Sequence, residues 1–349
     1  MTGTDQSSSK AAHGRERAAG ERHPEGTRPL LRIENLQTYF FTPRGVVKVL
    51  DGLSLAAPEG QVTGVVGESG SGKSVTVLSV VRLLKPPGKI VGGAIEFRGR
   101  DLVKLSEREM RRVRGKEISM IFQNPRGSLN PVFTVRDVLR TVLKTHRGLK
   151  GKAAEAASVE ILDQVGLPNP RAILGRYPHE LSGGMCQRVM IALALACSPS
   201  LLIADEPTTA LDVTIQLQII GLLAGLRDRL GLTQLLITHN LGVVAELCDR
   251  VAVMYAGKVV EEGSVNTIFA SPRHPYTILL NRSRPRAHLG KELVSIPGTV
   301  PDLRNPPRGC RFHPRCPYAQ DICRDVEPPL ETIDDGHRVA CHFWREVSA

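Results

Sequence analysis

Two kinds of hydrophobic pattern alternate along the chain after residue 30. Short apolar, β-rich runs of the kind that form buried strands occur at residues 61–66, 117–122, 201–205, 234–238 and 251–255. A helix-like run follows the first of them over residues 73–84 and is expected to end before Pro86. Because strands that alternate with helices form mainly parallel sheets covered on both faces, we expect an α/β core.

A long segment between the second and third strand-like runs has no strand pattern. From about residue 130 to residue 198 the apolar positions recur with the period of a helix, as in VRDVLRTVLKTH, AAEAASVEILDQVG and QRVMIALALA. We therefore expect an all-helical insertion within the α/β domain.

The two ends of the chain differ in composition from its middle. Residues 1–28 contain no Val, Ile, Leu or aromatic residue, which predicts a disordered tail. After residue 284 the sequence is rich in Arg, Pro, Cys and His with little periodicity, which predicts a small, loop-rich appendage held by something other than a core. A chain of 349 residues is thus expected to divide into a main domain over 29–283 and an appendage over 284–349.

Composition limits the class of protein. Hydrophobic residues make up 41% and charged residues 23% of the chain, as in ordinary globular proteins. No apolar run is long enough to span a membrane and the N-terminus lacks a signal-peptide pattern, so we expect the protein to stay in the cytoplasm. The formal net charge of +11 suits polyanionic partners, such as nucleotides, nucleic acid or an anionic membrane face, and equally an Arg-rich solvated surface.

A glycine-rich segment follows the first predicted strand and opens the first predicted helix. It reads Gly67-Glu68-Ser69-Gly70-Ser71-Gly72-Lys73-Ser74, the G-x4-G-K-S pattern of a phosphate-binding loop. In such a loop the backbone N–H groups surround the phosphates, Lys73 reaches the β and γ oxygens and Ser74 ligates Mg²⁺. The alternative is a glycine-rich turn that binds nothing, and the strand–loop–helix context disfavours it.

Two carboxylates end another apolar strand, in Leu201-Leu202-Ile203-Ala204-Asp205-Glu206. An unpaired charge in a core is costly, so we expect both side chains to face the phosphates. Asp205 would hold the metal, directly or through water, and Glu206 would polarise a water molecule for in-line attack on the γ-phosphate. Alone, such a run is more often a strand that leads into a turn.

A Ser-Gly-Gly sequence lies just before the last helix-like run of the insertion. It belongs to the segment Leu181-Ser182-Gly183-Gly184-Met185-Cys186-Gln187-Arg188, and by itself is typical of a helix cap. With the phosphate loop before it and the Asp-Glu strand end after it, the chain resembles the nucleotide-binding subunit of an ATP-binding cassette transporter. The resemblance implies a phosphate-loop NTPase cassette in which a mainly parallel sheet carries an antiparallel β subdomain and an all-helical subdomain.

The same resemblance assigns roles to residues of several motifs. Ser182 and the Gly183 and Gly184 amides would clamp the γ-phosphate held by an opposite subunit, so the site would need two such domains. Gln123, in Ile-Phe-Gln-Asn-Pro, would ligate Mg²⁺ or the attacking water and sense the membrane partner. Asp212, in Thr-Ala-Leu-Asp, would contact the facing subunit, and His239, in Ile-Thr-His-Asn, would touch the γ-phosphate. The nucleotide-contacting set that it implies also includes Val75, Asp205 and Gln187.

An aromatic side chain is expected upstream to stack on adenine. We favour Phe40 over Tyr39, with core packing of Phe40 as the competing explanation. The chain departs from the family pattern at Cys186, where a longer polar or basic side chain is usual, and at Asn240, where Asp is usual. Neither change removes a phosphate, metal or water-positioning group, although Asn240 affects how firmly His239 is oriented.

Three further segments are similar to those of the oligopeptide/dipeptide importer subfamily. They are residues 123–131, the sequence His274-Pro275-Tyr276-Thr277, and residues 309–317, and with them the resemblance covers about residues 30–345. In that subfamily the segment after Gln123 receives the coupling helix of the permease. Pro125, Leu129 and Val132 would either meet that helix or simply pack the helical insertion.

Four cysteines crowd into the last 40 residues, at Cys310, Cys316, Cys323 and Cys341. A cytosolic chain keeps its thiols reduced, so the cluster indicates a metal rather than disulfides. Structural zinc sites usually contain a C-x2–4-C pair, which this spacing lacks, and four thiolates also suit a [4Fe–4S] cluster. The subfamily resemblance implies the [4Fe–4S] cluster, while zinc with help from His313, His337 or His342, or no metal at all, stays open. Cys186, Cys197 and Cys248 are expected in the core.

The resemblance implies an ATPase subunit at the cytoplasmic face of the membrane that powers import of di- or oligopeptides. Its partners would be a similar but non-identical ATPase subunit, two permease subunits and an extracytoplasmic solute-binding protein, with no direct nucleic-acid contact. The cargo stays open among dipeptides, longer peptides, nickel chelates and peptide antibiotics. Two alternatives are a soluble cassette ATPase acting on nucleic acid or the ribosome, and a structural subunit with a dead site, which intact Lys73, Glu206 and His239 oppose.

Overall fold

The structure of the protein is a computed structural model that describes residues 29–209, 211–283, 295–334 and 336–347. It contains two β-sheets with helices packed around them. The strands are β1 (Leu31–Thr42), β2 (Gly45–Ala57), β3 (Val62–Val66), β4 (Gly88–Phe97), β5 (Arg100–Asp101), β6 (Ile118–Ile121), β7 (Leu201–Asp205), β8 (Thr233–Ile237), β9 (Arg250–Tyr255), β10 (Lys258–Ser264), β11 (Glu331–Asp334) and β12 (His337–Val339). The predicted tail over residues 1–28 and the predicted start of the appendage over 284–294 lie outside the described residues.

The helices follow the strands in the expected alternation. They are α1 (Lys73–Val80), α2 (Glu107–Val113), α3 (Pro125–Ser128), α4 (Val135–Arg147), α5 (Gly151–Gln164), α6 (Pro170–Leu174), α7 (Gly183–Leu195), α8 (Val213–Leu230), α9 (Leu241–Leu247), α10 (Val265–Ala270), α11 (Pro275–Arg282) and α12 (Ile322–Asp325). In the described part of the chain, no helix is both long and apolar enough to cross a membrane.

The larger sheet has eight strands in the order β11-β12-β10-β9-β3-β8-β7-β6. Its middle is parallel, because β3 pairs in parallel with β8 and β9, and β7 pairs in parallel with β6 and β8. Every residue of β3, β7 and β8 is buried, which explains why these strands read as continuous apolar runs. The predicted α/β core with a mainly parallel sheet is confirmed, and the carboxyl ends of β3, β6, β7 and β8 meet at one edge.

The smaller sheet is antiparallel, with four strands in the order β2-β1-β4-β5. Leu31, Ile33 and Leu36 of β1 are buried and pack in one core with Val77 and Val80 of α1. This sheet thereby covers the helix that follows the phosphate loop. The antiparallel β subdomain implied by the family resemblance is present.

Helices alone fill the chain between β6 and β7, as predicted. The amphipathic α4 begins with a reciprocal cap between Thr134 and Asp137 and buries Leu139 and Leu143 in the core. The first helix differs from its prediction, because α1 ends at Val80 and not at residue 84. Arg82 has a φ of 51°, in the left-handed region, so the chain leaves the helix before it reaches the prolines.

The C-terminal region contributes more to the fold than the sequence suggested. The short strand β12 pairs with β10 and with β11, which extends the main sheet. Phe312 is buried in the main core against Tyr255 and Tyr276. The expectation of an appendage without a core contribution is therefore wrong for these residues, since strands of three and four residues are too short to give a readable periodicity.

Candidate active site

The glycine-rich loop joins β3 to α1 at the middle of the main sheet. Gly67 has a φ of 149°, and a Cβ at this position would lie 2.1 Å from the Met254 carbonyl oxygen. Gly70 and Gly72 also have positive φ, at 83° and 101°. The glycines are therefore required by backbone geometry and by the close approach of β9, as a tight phosphate loop demands.

Lys73 lies inside this loop and is bonded to it. Its Nζ donates to the carbonyl oxygens of Gly67 and Glu68 at 2.7 and 2.9 Å. Burial lowers the pKa of the amine, although the negative charges of Glu206, Asp205 and Glu68 oppose that shift. The ammonium group is thus held at the centre of the loop, where it can exchange carbonyl partners for phosphate oxygens.

Ser74 and Asp205 meet beside the loop. Ser74, in the first turn of α1, donates its hydroxyl proton to Asp205 Oδ1 at 3.1 Å. Burial raises the pKa of Asp205; the Ser74 hydrogen bond opposes the shift and the neighbouring Glu206 charge adds to it. A hydroxyl and a buried carboxylate are oxygen donors of the kind that Mg²⁺ prefers, so this pair fits a magnesium site.

Three strand ends bring polar side chains together around Glu206. Its Oε2 accepts hydrogen bonds from Gln123 Nε2 at 3.0 Å and from Thr209 Oγ1 at 2.8 Å. Its Oε1 lies 3.1 Å from His239 Nδ1. Gln123, Glu206 and His239 follow β6, β7 and β8, so the adjacent parallel strands deliver them to the same sheet edge.

The protonation state of Glu206 follows from these contacts. Partial burial raises the pKa of Glu206, but the hydrogen bonds from His239 and Thr209 outweigh it and leave the pKa below its ordinary value. The carboxylate is therefore ionised at neutral pH. Glu206 also has a φ of 46°, an uncommon conformation for a residue with a side chain. Sequence reasoning did not single out Thr209, whose hydroxyl comes three residues after Glu206 and so could have been found from that spacing.

The Ser-Gly-Gly segment lies at the start of α7, on the helical section. Ser182 is exposed and its Oγ accepts a hydrogen bond from the Met185 amide, which makes it the helix cap. In the described residues, no hydrogen bond joins Ser182, Gly183 or Gly184 to the glycine-rich loop of the same chain. Gln187, one turn further along, is buried, and its Nε2 has no hydrogen-bond partner among the described residues.

Two other motif residues also cap helices. Asp212 accepts a hydrogen bond from the Ile215 amide at 2.9 Å at the start of α8. Asn240 does the same for α9 through the Gly242 amide at 2.9 Å. The unusual Asn240 thus has a local structural role as a helix cap, and His239 contacts Glu206 beside it.

The two aromatic candidates for adenine stacking differ in their surroundings. The Tyr39 hydroxyl donates to Asp51 at 2.7 Å, and burial together with this contact raises the pKa of Tyr39 to about 12. Phe40 is half-buried near the end of β1, and its ring lies against Gly88 of β4. Phe40 as the adenine-stacking residue stays a prediction.

Three cysteines outside the C-terminal cluster were expected in the core, and two of them are buried there. Cys186 and Cys248 are buried in the core, whereas Cys197 is only half-buried. The four late cysteines line one small, mostly apolar cavity together with His313 and His342. Burial raises the pKa of Cys310, Cys316 and Cys341.

The histidines near these cysteines have other partners. His337 lies on β12 and contacts Glu261 at 2.8 Å, while His342 Nε2 lies 3.0 Å from the Val326 carbonyl oxygen. His313 Nδ1 lies 2.9 Å from the Cys310 carbonyl oxygen. Within the described ranges, no group of three or more His, Cys, Asp or Glu residues is arranged to hold a metal ion.

Two known families match segments of this chain, and curated proteins are similar to nearly all of it. The ABC transporter family matches residues 50–209, and the C-terminal region of oligopeptide/dipeptide transporters matches residues 260–323. A putative peptide import ATP-binding protein of Brucella abortus is 48% identical over 334 residues, which cover 92% of this chain and 99% of that protein. The dipeptide transport ATP-binding protein DppD of Escherichia coli is 48% identical over 315 residues, 90% of this chain and 96% of that protein.

Solved structures are similar over the cassette. A dimeric ATP-binding cassette in a post-hydrolysis state, bound to ADP and phosphate, has a TM-score of 0.61 and 27% identity, over 67% of this chain and 98% of that one. CbiO1 of Clostridium perfringens, part of an ABC transporter complex, has a TM-score of 0.59 and 27% identity, over 74% of this chain and 97% of that one.

Proposed function

We propose that this chain, which belongs to the ATP-binding cassette transporter family, is the ATP-hydrolysing subunit of a transporter that imports di- or oligopeptides. One observation supports the chemistry above all: Gln123, Glu206 and His239 converge beside the loop that holds Lys73. The peptide cargo is supported by relatives that are named for peptide and dipeptide import and match nearly the full chain. Those names also favour transport over an ATPase that acts on nucleic acid or the ribosome.

The side chains around the loop suit an in-line attack of water on the γ-phosphate. Lys73 and the loop amides would bind the β- and γ-phosphates. Ser74, Asp205 and Gln123 would hold Mg²⁺, which neutralises phosphate charge when bound. Glu206 would accept a proton from water while the water oxygen bonds to the γ-phosphorus and the bond to the β-bridging oxygen breaks, which releases ADP. His239 and Gln123, both bonded to Glu206, would orient that water and the γ-phosphate.

A second ATPase subunit would complete the site. Ser182 caps α7 at an exposed position, and Asp212 caps α8 nearby. Just after Asp212, the apolar side chains Val213 and Leu217 are 72% and 57% exposed, which is unusual for one face of a helix. We infer that this surface packs against a similar, non-identical subunit, so that Ser182, Gly183, Gly184 and Asp212 meet the nucleotide on the partner's loop. Nucleotide bound between the two would favour the closed pair and so power the transport cycle.

The permease would dock at the helical section. An open groove at the edge of this section is lined by Leu83, Phe122 and Leu129. In the segment that follows Leu129, Val132 is 71% exposed and Phe133 is also exposed, whereas Leu129 is buried and packs the helical section. An exposed apolar patch that follows Gln123 in sequence suits the coupling helix of one permease subunit. The partner ATPase subunit would receive the coupling helix of the second permease subunit, and a solute-binding protein would supply the peptide. The chain would then work at the cytoplasmic face of the membrane without entering it.

The late cysteines would hold a cofactor. Four thiols that line one cavity fit the donor set of a [4Fe–4S] cluster, with zinc as the alternative. Anaerobic purification with iron and zinc analysis decides between them: four irons per chain with absorbance near 400 nm supports the cluster, and equimolar zinc without that absorbance overturns it. We also propose that residues 29–283 form the cassette and 284–349 a C-terminal region that is joined to it through β12.

The transport function is tested in a strain that lacks the gene and needs a supplied peptide for growth. Val132→Arg places a charge on the proposed permease surface, so it should abolish growth on the peptide while ATP binding by the purified chain stays normal. Leu230→Arg is the matched control, because Leu230 is an exposed apolar residue at the far end of α8. Normal growth with Val132→Arg would refute the docking surface, and unimpaired peptide uptake in the deletion strain would refute peptide import.

A further inference from the structure

The C-terminal region touches the phosphate loop directly. Glu68 is the second residue of that loop, and its carboxylate receives both arms of the Arg315 guanidinium. Arg315 Nη1 donates to Glu68 Oε2 at 2.7 Å and Nη2 donates to Oε1 at 3.1 Å. A bidentate pair of this kind fixes orientation as well as distance, and it joins residues 247 positions apart in sequence.

Arg315 is itself held rigidly, with only 8% of its surface exposed. Its Nε donates to the Pro297 carbonyl oxygen at 2.6 Å, and its Nη1 is 3.3 Å from the Tyr255 hydroxyl. The guanidinium also lies 5.6 Å from the centre of the Tyr255 ring and 5.9 Å from that of Phe312. The guanidinium therefore donates both hydrogen bonds to the loop from a fixed orientation, because the arginine has already lost its conformational freedom.

The backbone of Glu68 is held from a second direction. Its amide donates to the hydroxyl of Tyr276, a fully buried residue of α11, at 2.8 Å. The Glu68 carbonyl oxygen in turn accepts from Lys73 Nζ at 2.9 Å. Side chain, amide and carbonyl of one loop residue are thus all engaged, and the contacts run from the C-terminal region to the lysine that meets the phosphates.

We propose that Arg315 and Tyr276 are positioning residues of the nucleotide site, which set the conformation of the phosphate loop through Glu68. The proposal rests on the proposed function of this loop in ATP binding. Arg315 lies between Cys310 and Cys316, so this segment of the C-terminal region would help to shape the nucleotide site. Both residues contact the loop through Glu68, so their effect would reach the nucleotide through the geometry of the loop and of Lys73.

The test measures binding of a fluorescent, ribose-labelled ATP by the purified full-length chain, with both Kd and binding stoichiometry fitted. Arg315→Met should weaken binding by about fivefold to tenfold, because the loop loses one of its two external supports. Glu68→Gln should have a similar effect, and the double variant should be no weaker than the worse single variant, since both changes remove the same contact. Arg315→Lys keeps the charge but loses the bidentate geometry, so its Kd for ATP should lie between that of Arg315→Met and that of the unmodified chain.

Two controls separate positioning from a purely structural role. A chain that merely folds less well loses binding stoichiometry while the folded fraction keeps its Kd, whereas a mispositioned loop changes Kd at full stoichiometry. Arg304→Met is the matched control, because Arg304 also forms a bidentate pair in the C-terminal region, with Asp302, and none of the hydrogen bonds among the described residues joins it to the loop. It should leave Kd within about twofold of the unmodified chain.

Three results bear differently on the proposals. An unchanged Kd for Arg315→Met, or additive losses in the double variant, would overturn the positioning role of Arg315. Tyr276→Phe tests the second contact in the same way, and an unchanged Kd there would remove Tyr276 from the proposal. Failure of the ATP site itself would show separately, as normal binding by Lys73→Ala.

Discussion

Replacement of Glu206 by Gln isolates one proton acceptor without changing the shape of the site. Oε2 of Glu206 accepts from both Gln123 and Thr209, whereas among the described residues the hydrogen-bonding partner of Oε1 is His239 Nδ1. The amide nitrogen of Gln would therefore turn towards His239, where the neutral ring can accept its proton. All three neighbours keep a partner, so we expect the variant to fold and to bind ATP.

The expected loss of rate follows from the role of the carboxylate. Glu206 is ionised at neutral pH because its hydrogen bonds with His239 and Thr209 outweigh the effect of partial burial on its pKa. A positioned general base contributes about 10²–10⁴-fold to a rate, which is about 3–5 kcal/mol of the activation barrier. Affinity for ATP should not fall, because the substitution removes a negative charge beside the site of the phosphates.

Phosphate release under single-turnover conditions, by the chain assembled with its partner ATPase and permease subunits, measures the chemical step, and fluorescent ATP binding measures affinity on the same preparation. Glu160→Gln is the matched control, since Glu160 is an exposed carboxylate on α5 and should leave both quantities unchanged. Turnover by Glu206→Gln within about twofold of the unmodified chain, with ATP still bound, would refute Glu206 as the residue that activates water.

Three other changes test parts of the site and its support. Gly67→Ala should abolish ATP binding and lower the melting temperature, because its Cβ would lie 2.1 Å from the Met254 carbonyl oxygen; Gly60→Ala, at a positive φ with open space around it, serves as the control in both measurements. Asp205→Asn should weaken Mg²⁺-dependent ATP binding by about tenfold or more, since the cation loses its buried anionic ligand. ATP titration with and without a chelator of Mg²⁺ measures this effect, and an equal loss of affinity in both conditions would contradict the metal role of Asp205. Burial lowers the pKa of His274 from 6.5 to about 4 against the opposing charge of Glu261, so the folded state holds this ring neutral. The free energy of unfolding should therefore be at its full value above the ordinary pKa of histidine and fall by up to roughly 3 kcal/mol as the pH drops towards about 4. Denaturant unfolding at several pH values in this range should show a smaller dependence of the unfolding free energy on pH for His274→Asn than for the unmodified chain. An equal dependence in the two proteins would contradict this role of His274.

Much of the fold could be predicted because its signals are local. The continuous apolar runs of β3, β7 and β8 mark strands buried on both faces, and the helical period of α4 marks a helix with one buried face. The end of α1 was misplaced because Arg82, and not a proline, takes the left-handed conformation that stops the helix. The strands β11 and β12 were missed because they are short and depend on pairing with partners distant in sequence or with each other: β12 pairs with β10, and β11 pairs with β12.

The sequence by itself determined the chemistry of the candidate site and its order along the chain. Spacing and residue type predict a phosphate loop with Lys73 and Ser74, and a polar strand end at Asp205 and Glu206. Close backbone approach requires glycines, and a phosphate-binding site requires such polar groups. These signals lie within a few residues of one another, so no tertiary information is needed to find them.

Only the tertiary structure decided which distant groups meet. The parallel order of β6, β7 and β8 brings Gln123 and His239 to Glu206, and the burial of Phe312 against the main sheet brings Arg315 to Glu68. Such contacts join residues up to 247 positions apart, and their energy depends on a geometry that no local pattern encodes. For this protein, local sequence predicts the groups of the candidate site, and packing decides how firmly each is held.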